Sequence, residues 1–394
     1  MLKYWVWLAT REKIGAATAC RILRHFGSAE AAYLAEASDY KAIRGLRYQK
    51  SLEDKSLAKA ERILQSCFDK GIFLVTMQDA AYPQRLRMLE DPPLLLYGKG
   101  ILPDLNGPVI GVVGTRQSSL YGMNQARRMG YGLSHCGAVV VSGGAKGIDA
   151  EALKGAMLGG SPVVAVLGNG VDVVYPRQNK KLFEEITAHG CLLSEYPPGT
   201  PPNKEHFPVR NRIISGLGMG VLVVEAPHDS GALITAQSAL DQGRDVFALP
   251  ANVGQSTCEG NLQLLRDGAI LVRDPWEVLE EYVGQYGSLQ NRDCSGLENR
   301  KTPEIPELEP EVSAKKTIDK PKTNHYIDAK KIKETLPADQ AQLVRLLEQG
   351  PVHIDVLSEQ LGQPAGCVLA LLTMLEVRGI IQHLPGRMFS LAEN

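Results

Sequence analysis

No apolar run in this 394-residue chain approaches the roughly 20 residues that a membrane-spanning helix needs. The apolar stretch near its start, Tyr4 to Ala9, is also too short for the core of a secretory signal. No membrane or secretory address is expected, and the chain reads as cytoplasmic. Cysteine is sparse and scattered. Cys20, Cys67, Cys136, Cys191, Cys258, Cys294 and Cys367 are odd in number and form neither a C-x-x-C pair nor a Cys/His cluster. That excludes a disulfide framework and a structural zinc site and fits a reducing compartment. An excess of either charge is missing too: 43 Lys and Arg stand against 44 Asp and Glu, for a formal net charge of -1. A nucleic-acid partner would therefore have to be met by a local basic patch. Neither G-x-x-x-x-G-K-[ST] nor G-x-G-x-x-G occurs, and no acidic residue stands about 20 positions past the first central strand to read a ribose. A dedicated ATPase or NAD enzyme is disfavoured, and no cofactor is expected.

What is present is ordinary globular material, 44% hydrophobic and 22% charged, long enough for two or three domains. Residues 1–75 read as short helices, with Ile14, Ala17, Ile22, Leu23 and Phe26 at helical spacing and a break at Gly27-Ser28. Its segments Ile14-Gly15-Ala16-Ala17 and Ile43-Arg44-Gly45-Leu46 resemble helix-hairpin-helix or SAM-like turns, which hold a DNA phosphate on backbone amides; a plain packing domain is the alternative. From Val109 the pattern becomes short apolar runs, each closed by a glycine or polar loop and followed by an amphipathic helix. Strands are expected at 109–113, 138–141, 163–167, 191–194, 221–225, 245–249 and 270–272. Near-continuous Val, Ile and Leu in these runs implies strands covered on both faces, so a doubly wound α/β domain is expected over 76–285. Residues 286–336 are rich in Pro, Lys, Glu, Ser and Asn and read as a flexible linker. Over 337–394, helices at 341–347, 354–361 and 367–378 precede a hairpin at 380–389 turning on Pro385-Gly386, the plan of a winged helix.

In an open parallel sheet, ligands sit beyond the carboxyl ends of the strands, so the loops leaving those ends form one surface. The first loop carries Gly114, Thr115 and Arg116, the second Ser142, Gly143, Lys146 and Gly147, and a third Ser230 and Gly231 before a helix start. Glycine lets a ligand approach the backbone, free amides at a helix start accept an anion, and Arg116 offers a two-pronged grip on a phosphate. Tyr175-Pro176-Arg177-Gln178-Asn179-Lys180-Lys181-Leu182-Phe183 and Phe207-Pro208-Val209-Arg210-Asn211-Arg212 add charge and aromatics. Lys180, Arg210 and Arg212 suit phosphates, and Phe183 or Tyr175 offers a ring for stacking a base, the combination that unpaired strands favour. Against this stand a core role for the aromatics and an ion pair to Glu225 for the arginines.

In this order, G-T-R-x-S-x-x-Y-G, S-G-x-A-x-G-I-D, Y-P-x-x-N-x-x-L, S-E-x-P-x-G, F-P-x-R-N-R-I-I, V-V-E-A and S-G-x-L-I-T-A resemble the DprA/Smf family, from about Pro83 to Trp276. The resemblance implies an extended Rossmann-like domain flanked by a SAM-like domain and a winged helix. It further implies a homodimer that binds single-stranded DNA, protects incoming strands in natural transformation (competence) and helps load the recombinase RecA. By that resemblance the DNA pocket falls on Arg116, Lys180 and Arg210 or Arg212, with Phe183 for stacking and Gly114, Ser142, Gly143 and Gly147 as amide donors. Leu153, Gly218 and Ala251 depart from the family's usual histidine, serine and glycine. Loss of the histidine removes an acid-base role there.

The resemblance implies a protein without catalytic residues. The competing enzyme reading is a nucleotide phosphoribohydrolase of the lysine-decarboxylase-like type; its P-G-G-x-G-T-x-x-E loop is absent, which leaves Glu195, Glu225 and Asp149 as carboxylates better suited to holding loops. A third reading gives duplex recognition to the helix at 366–376. That segment is rich in Leu and Val and carries only Arg378 at its end, so a protein contact suits it better.

Overall fold

The computed structural model describes residues 1–292 and, in the C-terminal segment, residues 338–347, 350–363, 368, 371–372, 375–376, 380–384 and 388–391. The chain divides into two compact units, Met1–Glu311 and Val312–Asn394.

The first unit opens with six short helices: Leu2–Ala9 (α1), Ala16–Phe26 (α2), Ala29–Leu34 (α3), Ala37–Tyr40 (α4), Lys50–Glu53 (α5) and Ala58–Asp69 (α6). Gly27 ends α2 at φ 77, and the Ser28 side chain caps α3 by accepting the Ala31 N–H at 3.0 Å. The break at Gly27-Ser28 is thus where the sequence places it. Ala17, expected on the inner face of α2, points to solvent; Ala19, Cys20 and Ile22 face inward instead.

A nine-stranded sheet follows, built from Phe73–Thr76 (β1), Leu95–Gly100 (β2), Val109–Val113 (β3), Val139–Ser142 (β4), Val163–Leu167 (β5), Gly190–Ser194 (β6), Gly220–Val223 (β7), Asp245–Ala248 (β8) and Ile270–Leu271 (β9). Its order is β1-β2-β6-β5-β4-β3-β7-β8-β9. Strands β6 through β9 are parallel, whereas β2 runs antiparallel to β6 and β1 antiparallel to β2. All seven strands expected from Val109 onward are present within a residue or two. β1 and β2 were not expected; they extend the parallel sheet by an antiparallel pair.

Alternate residues of each central strand belong to opposite cores. Ile110 and Val112 join one hydrophobic cluster, Val109 and Val113 the other. The first cluster takes in the six N-terminal helices together with Leu120–His135 (α8), Ile148–Gly159 (α9), Lys180–His189 (α10) and Pro275–Leu279 (α14). The second is covered by Gln84–Arg87 (α7), His206–Leu217 (α11), Gly231–Asp241 (α12) and, at its margin, Glu259–Arg266 (α13). Helices on both faces make the sheet doubly wound. The chain moves outward from β3 through β4 and β5 to β6, then returns to the other side of β3 for β7, β8 and β9. The direction reverses between β3 and β7, and a crevice opens there beyond the strand ends.

In the second unit, helices Ala338–Leu347 and Ile354–Leu361 accompany an antiparallel sheet of Val352–His353 (β10), Ile381–Leu384 (β11) and Met388–Leu391 (β12), ordered β10-β12-β11. Leu343, Leu347, Leu357, Leu372 and Phe389 share its core. This is a winged-helix arrangement. The expected turn at Pro385-Gly386, most of the expected linker and part of the helix at 367–378 lie outside the described residues.

Candidate nucleic-acid interface

Each loop at the crevice is fixed by buried polar groups. At the end of β7, Glu225 accepts the Thr115 N–H on its backbone oxygen at 2.7 Å, and its carboxylate accepts both the N–H and the hydroxyl of Ser119 at 3.0 Å. Ser119 in turn caps α8 by accepting the Gly122 N–H at 2.9 Å. The loop holding Arg116 is therefore held at both sides.

The loop after β4 touches it directly. Gly147 sits at φ 83, and a Cβ there would lie 2.6 Å from the Thr115 carbonyl oxygen, so only glycine permits both the backbone and the contact. Asp149, in the first turn of α9, accepts the Ala145 N–H at 3.3 Å and is hydrogen-bonded by the Gly114 N–H. Burial pushes its carboxyl above the usual range, and the nearby Arg210 guanidinium acts against that. Arg210 reaches up from α11 and donates through Nη1 to the Gly143 carbonyl at 2.7 Å and to the Val166 carbonyl. It ties the ends of β4 and β5 together. Burial lowers its pKa to about 10, so it stays cationic at neutral pH. Asn179 completes the frame by donating to the carbonyls of Gly144 at 2.9 Å and Ala145 at 3.2 Å.

Above this frame lies a cavity of about 270 Å³ floored by Gly143 and Arg210 and walled by Arg116, Lys146, Tyr175 and Phe207. A trough of about 580 Å³ continues from the same Arg116, Tyr175 and Phe207 past Gly114 and Thr115 to Ser230 and Gly231. Phe207, half-buried in the first turn of α11, is the organising ring: the guanidinium carbons of Arg116 and Arg210 lie 5.2 and 5.9 Å from its centroid, and the Tyr175 ring 5.7 Å away. Arg116, Lys146 and Lys204 are exposed at the rim. Among the described residues lining it, Asp229 is the one exposed carboxylate.

Of the residues expected here, Gly114, Thr115, Arg116, Gly143, Lys146, Arg210, Ser230 and Gly231 do line the crevice, and Gly147 supports it from behind. Four others sit elsewhere. The Ser142 hydroxyl is fully buried and donates to the Val112 carbonyl at 2.6 Å, cross-bracing two strands. Phe183 is 3% exposed and packs beneath Gly144, so it stacks on the core and offers no face to a ligand. Lys180 stands in solvent on α10, 4.0 Å from Glu184, and does not line the cavity. Arg212 is buried in ion pairs with Asp91 at 2.9 Å and Glu195 at 2.8 Å, not with Glu225. Phe207 was the residue missed. It and Arg210 stand one helical turn apart, which places ring and guanidinium on one face. Leu153, the departure in α9, is wholly buried among apolar neighbours.

The family described as DNA recombination-mediator protein A matches residues 73–283, more than half of the chain. The protein Smf of Synechocystis is 31% identical over 97% of this chain and 97% of its own length. This chain belongs to the DprA/Smf family. The DprA winged helix domain matches residues 328–387 as well. DNA processing protein DprA of Streptococcus pneumoniae is 44% identical over 52% of this chain and 72% of its own. The X-ray structure of the Streptococcus pneumoniae DprA superposes with a TM-score of 0.65 at 34% identity, covering 71% of this chain and 98% of that one. The DprA assignment makes this a DNA-processing protein of recombination. Among the described residues no helix is long and apolar enough to cross a membrane.

Proposed function

We propose that this chain binds single-stranded DNA in the crevice between β3 and β7, without catalysing a reaction, and delivers the strand to a RecA-type recombinase. One observation carries the reading: two fixed glycine loops, three rim cations and a half-buried ring converge on the crevice formed by the cavity and its adjoining trough. Arg116, Lys146 and Lys204 suit phosphate oxygens, and Phe207 with Tyr175 offers a stacking surface that a duplex cannot use. The carboxylates support a non-catalytic role. Glu225 is spent on Ser119, Glu195 on Arg212, and Asp149 on two backbone amides. The RecA partner, a homodimeric state and a cytoplasmic location belong to the same proposal by family membership.

The test is photocrosslinking of a strand substituted with 5-iodouracil, read by mass spectrometry. Crosslinks are expected on Phe207 or Tyr175. Crosslinks confined to the second unit would overturn the placement, and release of free base from a nucleoside monophosphate would overturn the non-catalytic reading.

A further inference from the structure

A cavity of about 860 Å³, far from the loops just described in sequence, lies among the N-terminal helices. It is lined by the turn between α1 and α2, by the segment leading into α5, and by the start of α6. The inward residues of this region are apolar: Ile43, Leu46 and Leu52 are all buried. Their burial turns the intervening side chains outward, and the stretch 41–50 carries Lys41, Arg44, Arg47 and Lys50 with no acidic residue at all. In a chain of net charge -1 that is a local excess.

Arg47, Lys50 and Lys59 line the cavity, are exposed, and make no hydrogen bond or ion pair among the described residues. Lys13 joins them on a non-glycine backbone of φ 61, its ammonium 5.2 Å from the centre of the half-exposed Tyr48 ring. Of the facing carboxylates, Asp54 is taken up by Arg11 at 3.0 Å, leaving Glu12 and Glu53 against Lys13 and the three unpaired cations. The cations come from three separate chain segments spread along an open trough, which suits a repeating anion better than a single phosphate. Tyr48 supplies a ring face beside them.

We propose that this cleft is a second contact for single-stranded DNA, gripping the phosphates of the same strand whose other part occupies the crevice at β3 and β7. The inference rests on the function proposed above. It adds a length requirement: a short strand is held by the crevice alone, a long one by both sites.

The experiment compares wild type, an Arg47→Ala/Lys50→Ala double variant and Arg116→Ala, with oligo-dT of about 8 and about 40 nucleotides over a range of salt. Both N-terminal side chains are exposed, so an unchanged melting temperature is expected for the double variant. On the long strand the double variant should bind roughly fivefold more weakly, and its log-log salt slope should be shallower by about 1.4, since each lost phosphate contact removes about 0.7 on single strands. On the short strand it should match wild type. Equal affinity and equal slope on the long strand would overturn the second site. Short-strand binding that survives Arg116→Ala would count against the crevice instead, so the two failures are separable.

Discussion

Arg210 is the residue whose replacement tests the construction of the crevice most sharply. Its guanidinium donates to the carbonyls of Gly143 and Val166, its Nε donates to the Asn211 side chain at 3.2 Å, and it faces the buried Asp149 carboxylate. Arg210→Met keeps much of the volume, removes those donors and strands Asp149 without its cation. Unpairing a buried charge of this kind costs about 3–5 kcal/mol. The loss should depend on pH in a definite direction. Burial raises the folded-state pKa of Asp149, and losing Arg210 removes the main opposing influence, raising it further. A carboxyl raised on folding favours the folded state in acid and loses that contribution as pH climbs through its folded pKa. The penalty of Arg210→Met should therefore be smaller near about pH 5 than at neutrality. Adding Asp149→Asn should recover at least about 1 kcal/mol, because the stranded charge is gone. Urea unfolding followed by tryptophan fluorescence reads this cleanly, since Trp5, Trp7 and Trp276 all lie in the Met1–Glu311 unit. A loss below about 1 kcal/mol at neutral pH, or no recovery in the double variant, would refute the role given to Arg210.

Phe207→Ala should weaken single-strand binding by about 1–3 kcal/mol per stacked base and, because the ring is half-buried, lower stability by about 1 kcal/mol, as anisotropy and calorimetry would record. Gly147→Ala must either leave φ 83 or push its Cβ into the Thr115 carbonyl, so a loss of about 1–3 kcal/mol in stability is expected together with weaker DNA binding. Unchanged binding would show that the two loops need not touch. Lys180→Ala removes only a solvent-exposed pair with Glu184, so both stability and short-strand affinity should stay within about 0.5 kcal/mol of wild type.

The sequence made the central sheet readable because its strands are buried on both faces and consist of unbroken Val, Ile and Leu between glycine loops. β1 and β2 escaped for a physical reason: they are antiparallel additions joined through the single turn of α7 in place of a long amphipathic crossover helix, so they lack the rhythm of strand, glycine loop and helix. The loops of the site were equally readable, since glycines and an arginine at a strand end are local signals. What the residue types could not disclose is which side of a helix faces the crevice. Phe183 and Phe207 are both aromatics beside basic residues, yet one packs under Gly144 and the other stands between Arg116 and Arg210. Arg210 and Arg212 flank a single asparagine and still diverge, one into the strand ends and the other toward Glu195 and Asp91. Two residues along a helix is about 200° of rotation, enough to exchange a place at the strand ends for a buried ion pair.

The most direct measurement is fluorescence anisotropy of a labelled oligo-dT strand and of its duplex, at low and moderate salt, with wild type and Arg116→Ala. Binding that prefers the single strand, weakens steeply with salt and falls in the variant is the predicted result. Equal affinity for strand and duplex, or a variant indistinguishable from wild type, would contradict a crevice that reads single-strandedness through Arg116 and Phe207.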